Sequence, residues 1–342
     1  MHTKSLKLIS QPSWQQILAS SVSDPRELLQ RLQLPEELLT TMTSAHGEFA
    51  VRVPEPYLQR IEPGNPKDPL LLQVLPRAQE MLQVAGFIKD PLAEQQANQH
   101  QGIIHKYQGR LLLIISGGCA INCRYCFRRH FPYGDNQLGK EEWSQALDYI
   151  RQDSSITEVI FSGGDPLATS DQRLASMINE LDQIPHLKRL RIHSRLPVVI
   201  PQRITEELLN TLQQSRLDKV LVTHINHPKE LDPIFKEAMS QLKLAGITLL
   251  NQSVLLKDIN DNHETLCELS ESLFEAGILP YYLHLLDPVA GASHFDVNEQ
   301  QARKLVGQLC DQLPGYLVPK LVKELAGASA KVPLTPVLKN SG

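Results

Sequence analysis

From residue 105 onward, short β-rich runs alternate with amphipathic helical stretches, and this alternation restricts the fold more than any other feature of the chain. The runs are 111–116 (LLLIIS), 157–162 (TEVIFS), 188–194 (KRLRIHS), 218–225 (DKVLVTHI), 247–254 (ITLLNQSV) and 278–286 (ILPYYLHLL). Helical spacing over 140–152, 171–183, 204–215, 230–245 and 262–276 separates them, and the last two stretches stop at Gly246 and Gly277, a common helix C-terminal residue. Each crossover is long enough for a right-handed βαβ unit, so the sheet is expected to be parallel. A polar or glycine-rich string follows or ends every run: SGGC, SGGDP, HSR, HINH, NQS and HLLDPVAGASH in turn. In α/β barrels the ligand site is built from loops at the C-terminal strand ends. The expected fold is therefore α/β, a partial (βα)6 TIM-like barrel with one site at one mouth.

Residues 1–100 read as a helical, proline-punctuated lobe. Trp14–Val22 and Pro25–Leu34 have helical spacing, with Asp24 as N-cap before a first-turn proline. Prolines crowd 53–76, which predicts turns and one-turn helices, and the KDPL at 67–70 recurs at 89–92 as shared turn chemistry. The expected organisation is the lobe over 1–100, the barrel over 101–296 and a C-terminal helix with a lysine-bearing segment over 297–342.

A formal charge of −4 argues against a general nucleic-acid or membrane-surface binder and for small ligands. No apolar run has the length of a membrane span, and MHTKSLKLISQPS lacks the apolar core of a signal peptide. Five cysteines, three of them crowded together, fit a reducing compartment, and the expected location is cytoplasmic. The oligomeric state is left open, a homo-oligomer included.

The crowded cysteines are Cys119, Cys123 and Cys126, at C-x3-C-x2-C spacing directly after the apolar run Leu111–Ile115. Structural zinc asks for four closed ligands, and Cys267 and Cys310 stand far away. Three thiolates this close can hold three corners of a four-iron cluster and leave one iron open, with structural zinc or a chance group of free cysteines as the other readings of the spacing. An open iron can chelate the amino and carboxylate groups of a methionine, which suits S-adenosylmethionine.

Tyr125 between the last two cysteines, Phe127 after them and the longer string CRYCFRRHFPY resemble the radical S-adenosylmethionine (SAM) superfamily, and within it the lysine 2,3-aminomutase family. The closest resemblance is to the short bacterial branch whose β-lysine is attached to elongation factor P. It covers nearly the whole chain. The resemblance implies a 4Fe-4S cluster on Cys119, Cys123 and Cys126, SAM, pyridoxal 5′-phosphate (PLP), and a radical amino-group migration from L-α-lysine to (R)-β-lysine. It assigns Ser162, Gly163, Gly164 and Asp165 to the methionyl amino group, with Ser194, His224 and Gln252 as further cofactor contacts. From the residues alone, SGGDP reads first as a tight βα turn capped by Asp165, and the cysteines beside it turn the reading toward a ligand contact.

Lys331 in GASAKVPL resembles the catalytic lysine whose amine engages PLP, although the run before it carries fewer glycines than the family's. Lys106, Tyr107 and Arg110 match the cofactor-phosphate position, with Lys106 standing where aminomutases carry arginine. Arg128 resembles the arginine that grips the substrate carboxylate, while Arg129 and His130 beside it read as solvated. Asp287 and Glu324 align with two carboxylates that hold the terminal ammonium of lysine, Glu324 replacing the usual aspartate. Two such carboxylates repel unless a cation lies between them, which is the physical reason for a lysine side chain. Implied partners are L-lysine, an electron donor of flavodoxin or ferredoxin type, and elongation factor P with its lysyl ligase. A metabolic 2,3-aminomutase, a PLP-independent radical SAM modifying enzyme and a cluster-bearing binding protein remain alternatives.

Overall fold

The computed structural model describes residues 12–94, 101–136 and 138–338; most of the N-terminal stretch read for a signal peptide lies outside them. One sheet of nine strands runs in sequence order: β1 (Ile103–Tyr107), β2 (Arg110–Ser116), β3 (Glu158–Gly163), β4 (Arg189–Ser194), β5 (Asp218–Thr223), β6 (Thr248–Val254), β7 (Leu279–His284), β8 (Lys320–Lys323) and β9 (Val332–Pro333). Every pairing from β2 to β8 is parallel, and β1 and β9 close the two edges antiparallel. β1 and β9 are not neighbours, so the barrel is open. The six expected runs are β2 to β7.

The other three strands lie outside those runs for identifiable reasons. β1 is joined to β2 by a tight turn in which Gly109 has a φ of +76°, so the basic string 105–110 forms a hairpin instead of leading into the sheet. β8 is four residues long and β9 two, too short to show a period.

The crossover helices follow their sequence signals closely. They are α6 (Lys140–Gln152), α7 (Asp171–Asp182), α9 (Glu206–Gln214), α10 (Pro233–Leu244), α11 (His263–Glu275) and α12 (Glu299–Gln312); short α8 (Leu196–Val199) follows β4. α6 buries Trp143, Ala146, Leu147 and Ile150, one stripe at helical spacing. Ser170, Thr205, Asp232, Asn262 and Asn298 each cap the following helix by accepting from a backbone N–H. Among the described residues no helix is long and apolar enough to cross a membrane.

The N-terminal lobe contains α1 (Trp14–Ala19), α2 (Pro25–Arg31), α3 (Leu38–Glu48), α4 (Glu55–Leu58) and α5 (Pro69–Leu72). Asp24 caps α2 with Pro25 in its first turn, while α3 carries no periodic apolar stripe and buries only Met42 and Ala45. In both KDPL copies the Asp side chain accepts from a later backbone N–H, but at different offsets, so the two turns differ. Asp68 Oδ1 accepts from the Leu70 and Leu71 amides, and Asp90 Oδ1 accepts from the Glu94 amide at 3.0 Å.

The lobe grips the loop that carries the three cysteines. Arg124, fully buried, donates from Nε and Nη2 to the two oxygens of Glu80 (2.9 and 2.5 Å), and Arg129 Nη2 adds a third contact at 2.8 Å. Arg124 also donates to the Phe49 and Ala45 carbonyls, and its amide to Gln73 O. Removing one partner of a buried pair leaves an uncompensated charge. Glu80→Ala is therefore expected to cost about 3–5 kcal/mol in urea unfolding at pH 7. A change within about 0.5 kcal/mol, the range of ordinary surface substitutions, would contradict the clamp.

Candidate active site

The strand ends open onto one cavity of about 470 Å³, within the range of about 300–1,000 Å³ usual for small-molecule and cofactor sites. Cys119, Cys123 and Cys126 line one part of its wall and are all free. Burial, then the neighbouring sulfur, pushes the Cys126 thiol up to about 11 and the Cys119 thiol up as well, so thiolates at these two positions need cations. One cation is built in: Arg195 Nη1 lies 2.7 Å from Cys123 Sγ. Arg195 is held by Tyr125 Oη (2.6 Å), Gln73 Oε1 (2.6 Å) and Glu230 Oε2 (2.8 Å), so the HSR string after β4 reaches the cysteine loop through a buried network. Among the described residues, no group of three His, Cys, Asp or Glu is placed to hold a single metal ion, whereas a cubane asks each thiolate for a separate iron.

The glycines of SGGDP let two backbones meet. Gly164 N donates to Ser116 O (2.7 Å) and Asp165 N to Gly118 O (2.8 Å), zipping the turn after β3 to the SGGC loop after β2. A Cβ on Gly163, whose φ is +121°, would lie 2.4 Å from Ser116 O, and one on Gly164 2.6 Å from Gly118 O. Asp165 is buried and accepts four contacts: Leu167 N, Ser194 Oγ, Arg195 N and Leu196 N. It thereby orders both its own turn and the start of the loop bearing Arg195.

Arg128 lies behind the cysteines. Its Nε and Nη2 form a fork onto Glu94 (2.7 and 2.8 Å), and Nη1 donates to Ser162 Oγ and Gly163 O. The Tyr133 hydroxyl donates to the same Gly163 carbonyl at 2.8 Å. The carboxylate on the Arg128 fork is thus the chain's own Glu94.

At the far wall, Lys331 Nζ lies 2.5 Å from Glu324 Oε2, and Tyr107 donates to Glu324 Oε1 at 3.1 Å. Lys331, countering burial, holds the Glu324 carboxyl down to about 2. Among the described residues Asp287 makes no such contact; burial first and Glu324 second push it up to about 7. The Arg110 guanidinium stacks 4.4 Å from the Tyr107 ring centroid, and Lys106 Nζ donates to Leu92 O (3.1 Å) with Glu94 at 3.8 Å. His284, pushed down to about 3 chiefly by burial, and His193, also pushed down, are neutral here. Among the described residues, the Nε2 atoms of both are buried without a hydrogen-bond partner and belong to cavity-lining side chains. His224 pairs with Gln252 at 2.9 Å.

The cavity gathers every site residue expected from sequence except Ser194, which lies behind Asp165. Arg129 is not solvated: it is locked into the Glu80 clamp and donates to Gly291 O. Glu94, Tyr133, Arg195, Tyr282 and His284 also line the wall. Of these, Tyr133 closes the CRYCFRRHFPY string, Arg195 belongs to HSR and His284 opens HLLDPVAGASH, whereas Tyr282 was marked only as part of a strand run and Glu94 not at all.

The donor set fits a thiolate-bound cluster at one part of the wall. At the other, an amine (Lys331) and a basic and phenolic group (Lys106, Tyr107, Arg110) fit a phosphorylated aldehyde cofactor. The family pattern described as Radical SAM superfamily matches residues 113–269. The L-lysine 2,3-aminomutase of Haemophilus influenzae is 54% identical over 319 residues, 93% of this chain and 94% of that protein. That of Escherichia coli is 51% identical over 334 residues, 97% of each chain. That of Clostridium subterminale is 35% identical, covering 94% of this chain and 78% of the relative. Similarity of this extent, along almost the full length of both chains, places the protein in the L-lysine 2,3-aminomutase family, isomerases built on a radical SAM domain that use a 4Fe-4S cluster, SAM and PLP.

Proposed function

We propose that the chain moves the amino group of free L-lysine from C2 to C3, giving (R)-β-lysine, and that this product is made for attachment to elongation factor P. The observation that carries the reading is that one cavity joins the three free thiols to Lys331, Asp287 and Glu324. The elongation factor P destination rests on the resemblance of the sequence, the CRYCFRRHFPY string included, to the short bacterial branch. When bound, the cluster with SAM supplies a hydrogen-abstracting radical and PLP the conjugated ring that carries the migrating nitrogen.

The protein's own contribution is position and charge. Cys119, Cys123 and Cys126 hold three irons, and Arg195 offsets negative charge on the Cys123 sulfur. Arg128 would turn its fork to the substrate carboxylate once Glu94 gives it up, with Nη1 still held by Ser162 and Gly163. Lys331 cannot serve both Glu324 and a cofactor carbonyl. When its amine is taken, Asp287 and Glu324 face the cavity without their cation, and the ε-ammonium of lysine supplies one. A substrate with an anionic side chain is rejected by the same pair. Electrons come from a small donor of flavodoxin or ferredoxin type, and a separate ligase consumes the product.

Anaerobically reconstituted protein, given reductant, SAM and L-lysine carrying nitrogen-15 at its α-amino group, should yield β-lysine with the label on C3. Lys331→Ala should reduce this to background. Wild-type turnover by Lys331→Ala would point to chemistry without PLP, and label appearing only in lysine bound to elongation factor P would exclude the free amino acid as substrate.

Asp287 gives a pH test. Its folded pKa, about 7, lies above the unfolded value of about 4, so folding takes up a proton between them. The associated stability is complete below about pH 4 and is lost as pH rises through 7. Glu324 works oppositely, but its loss falls below pH 4.5. In cofactor-free protein, urea unfolding from pH 4 to 8 should show wild type losing stability relative to Asp287→Asn. The slope is at most about 1.4 kcal/mol per pH unit, less where cavity water screens the charge. Parallel curves would show that Asp287 titrates normally.

A further inference from the structure

Gly307 lies in the interior of α12, a fourteen-residue helix, where glycine is the poorest helix former after proline. It is not there for a turn. A Cβ built on Gly307 would fall 1.9 Å from the carbonyl oxygen of Val337 and 2.8 Å from its carbonyl carbon. Both contacts are with backbone, so no rotamer change relieves them. One turn earlier on the same helix, Arg303 Nε donates to Thr335 O (2.7 Å) and Arg303 O accepts from Val337 N (2.9 Å). The segment after Lys331 is therefore laid directly across the bare face of α12.

The two sides of Lys331 are tethered very differently. After it, Val332 and Pro333 pair with β8, Leu334 N donates to Leu321 O (2.9 Å), and the Leu334 side chain packs against the cluster that holds Leu305, Val306 and Leu309. Before it, residues 325–330 form a largely exposed turn in which Gly327 has a φ of +78° and Ala328 N to Leu325 O is the backbone contact. What locates the lysine along the cavity wall is the chain that follows it, and that chain rests on the absent side chain of residue 307.

We propose that Gly307 is a positioning residue for Lys331: its lack of a side chain lets residues 332–338 seat on α12, and that seat sets where the Lys331 amine enters the cavity. The proposal rests on the reading that Lys331 engages PLP. It predicts a reversal of ordinary helix energetics, because alanine would improve the helix while displacing the strap that holds the active-site amine.

The test compares full-length, cluster-reconstituted wild type with Gly307→Ala, Arg303→Ala and the double variant, by PLP titration, hydrogen exchange at the Leu334 and Val337 amides, and iron content. Gly307→Ala should weaken PLP binding by about tenfold or more and speed exchange at Val337, with iron content unchanged. Arg303→Ala should shift both readouts the same way by less, and the double variant should fall short of the product of the two effects, since both act on one strap. Wild-type PLP affinity and wild-type Val337 exchange in Gly307→Ala would overturn the proposal. If Gly307→Ala does not fold, Arg303→Ala decides by the same two readouts. A wild-type chain that takes up no PLP would instead overturn the functional reading, and the proposal with it.

Discussion

The buried pairing of Arg124 with Glu80 is the contact on which the site depends, because the cysteine loop has almost no regular structure of its own. Residues 117–132 contain neither a strand nor a helix, yet their three thiols must face one cavity. A loop of that kind is held by what it touches. Glu80 takes two guanidinium groups from either side of Cys126, and the glycines of SGGDP fasten the other end of the loop to β3. A buried ion pair is a weak source of net stability compared with an apolar core, but breaking it is costly, which makes it a means of fixing geometry. The lobe of residues 12–94 is thus part of the active-site scaffold.

Charge balance inside the cavity follows the same logic. Among the charged groups of the cavity, Arg128 is paired with Glu94 and Glu324 with Lys331. Among the described residues Asp287 has no ion pair, and burial makes it reluctant to ionise. On the reading proposed above, the second ammonium of a zwitterionic substrate would supply the cation that Asp287 is short of.

Much of this was legible in the sequence, and the gaps have physical causes. The runs that became β2 to β7 are apolar or alternating over six or more residues, and the long helices after them, except α6 with Gly139 at its start, begin at Ser, Thr, Asp or Asn caps. β8 and β9 exist because β7 and each other are there to pair with, information that four and two residues do not contain. Among site residues, Cys119, Cys123 and Cys126 announce themselves by spacing. Glu94 sits in a polar stretch without a pattern and gains its role from Arg128, thirty-four positions away. Gly163 and Gly164 were expected to admit a ligand, whereas the close approach observed is to the backbone of the cysteine loop.

The central claim is that the thiol wall and the Lys331 wall serve one reaction in one cavity. The most direct measurement is isotope transfer: L-lysine deuterated at C3 is incubated anaerobically with reduced enzyme and SAM, and the nucleoside product is analysed by mass spectrometry. Deuterium at the 5′ carbon of 5′-deoxyadenosine is the expected result, since hydrogen must pass directly between the two guests. Formation of 5′-deoxyadenosine free of deuterium, at the same rate with or without lysine, would contradict it.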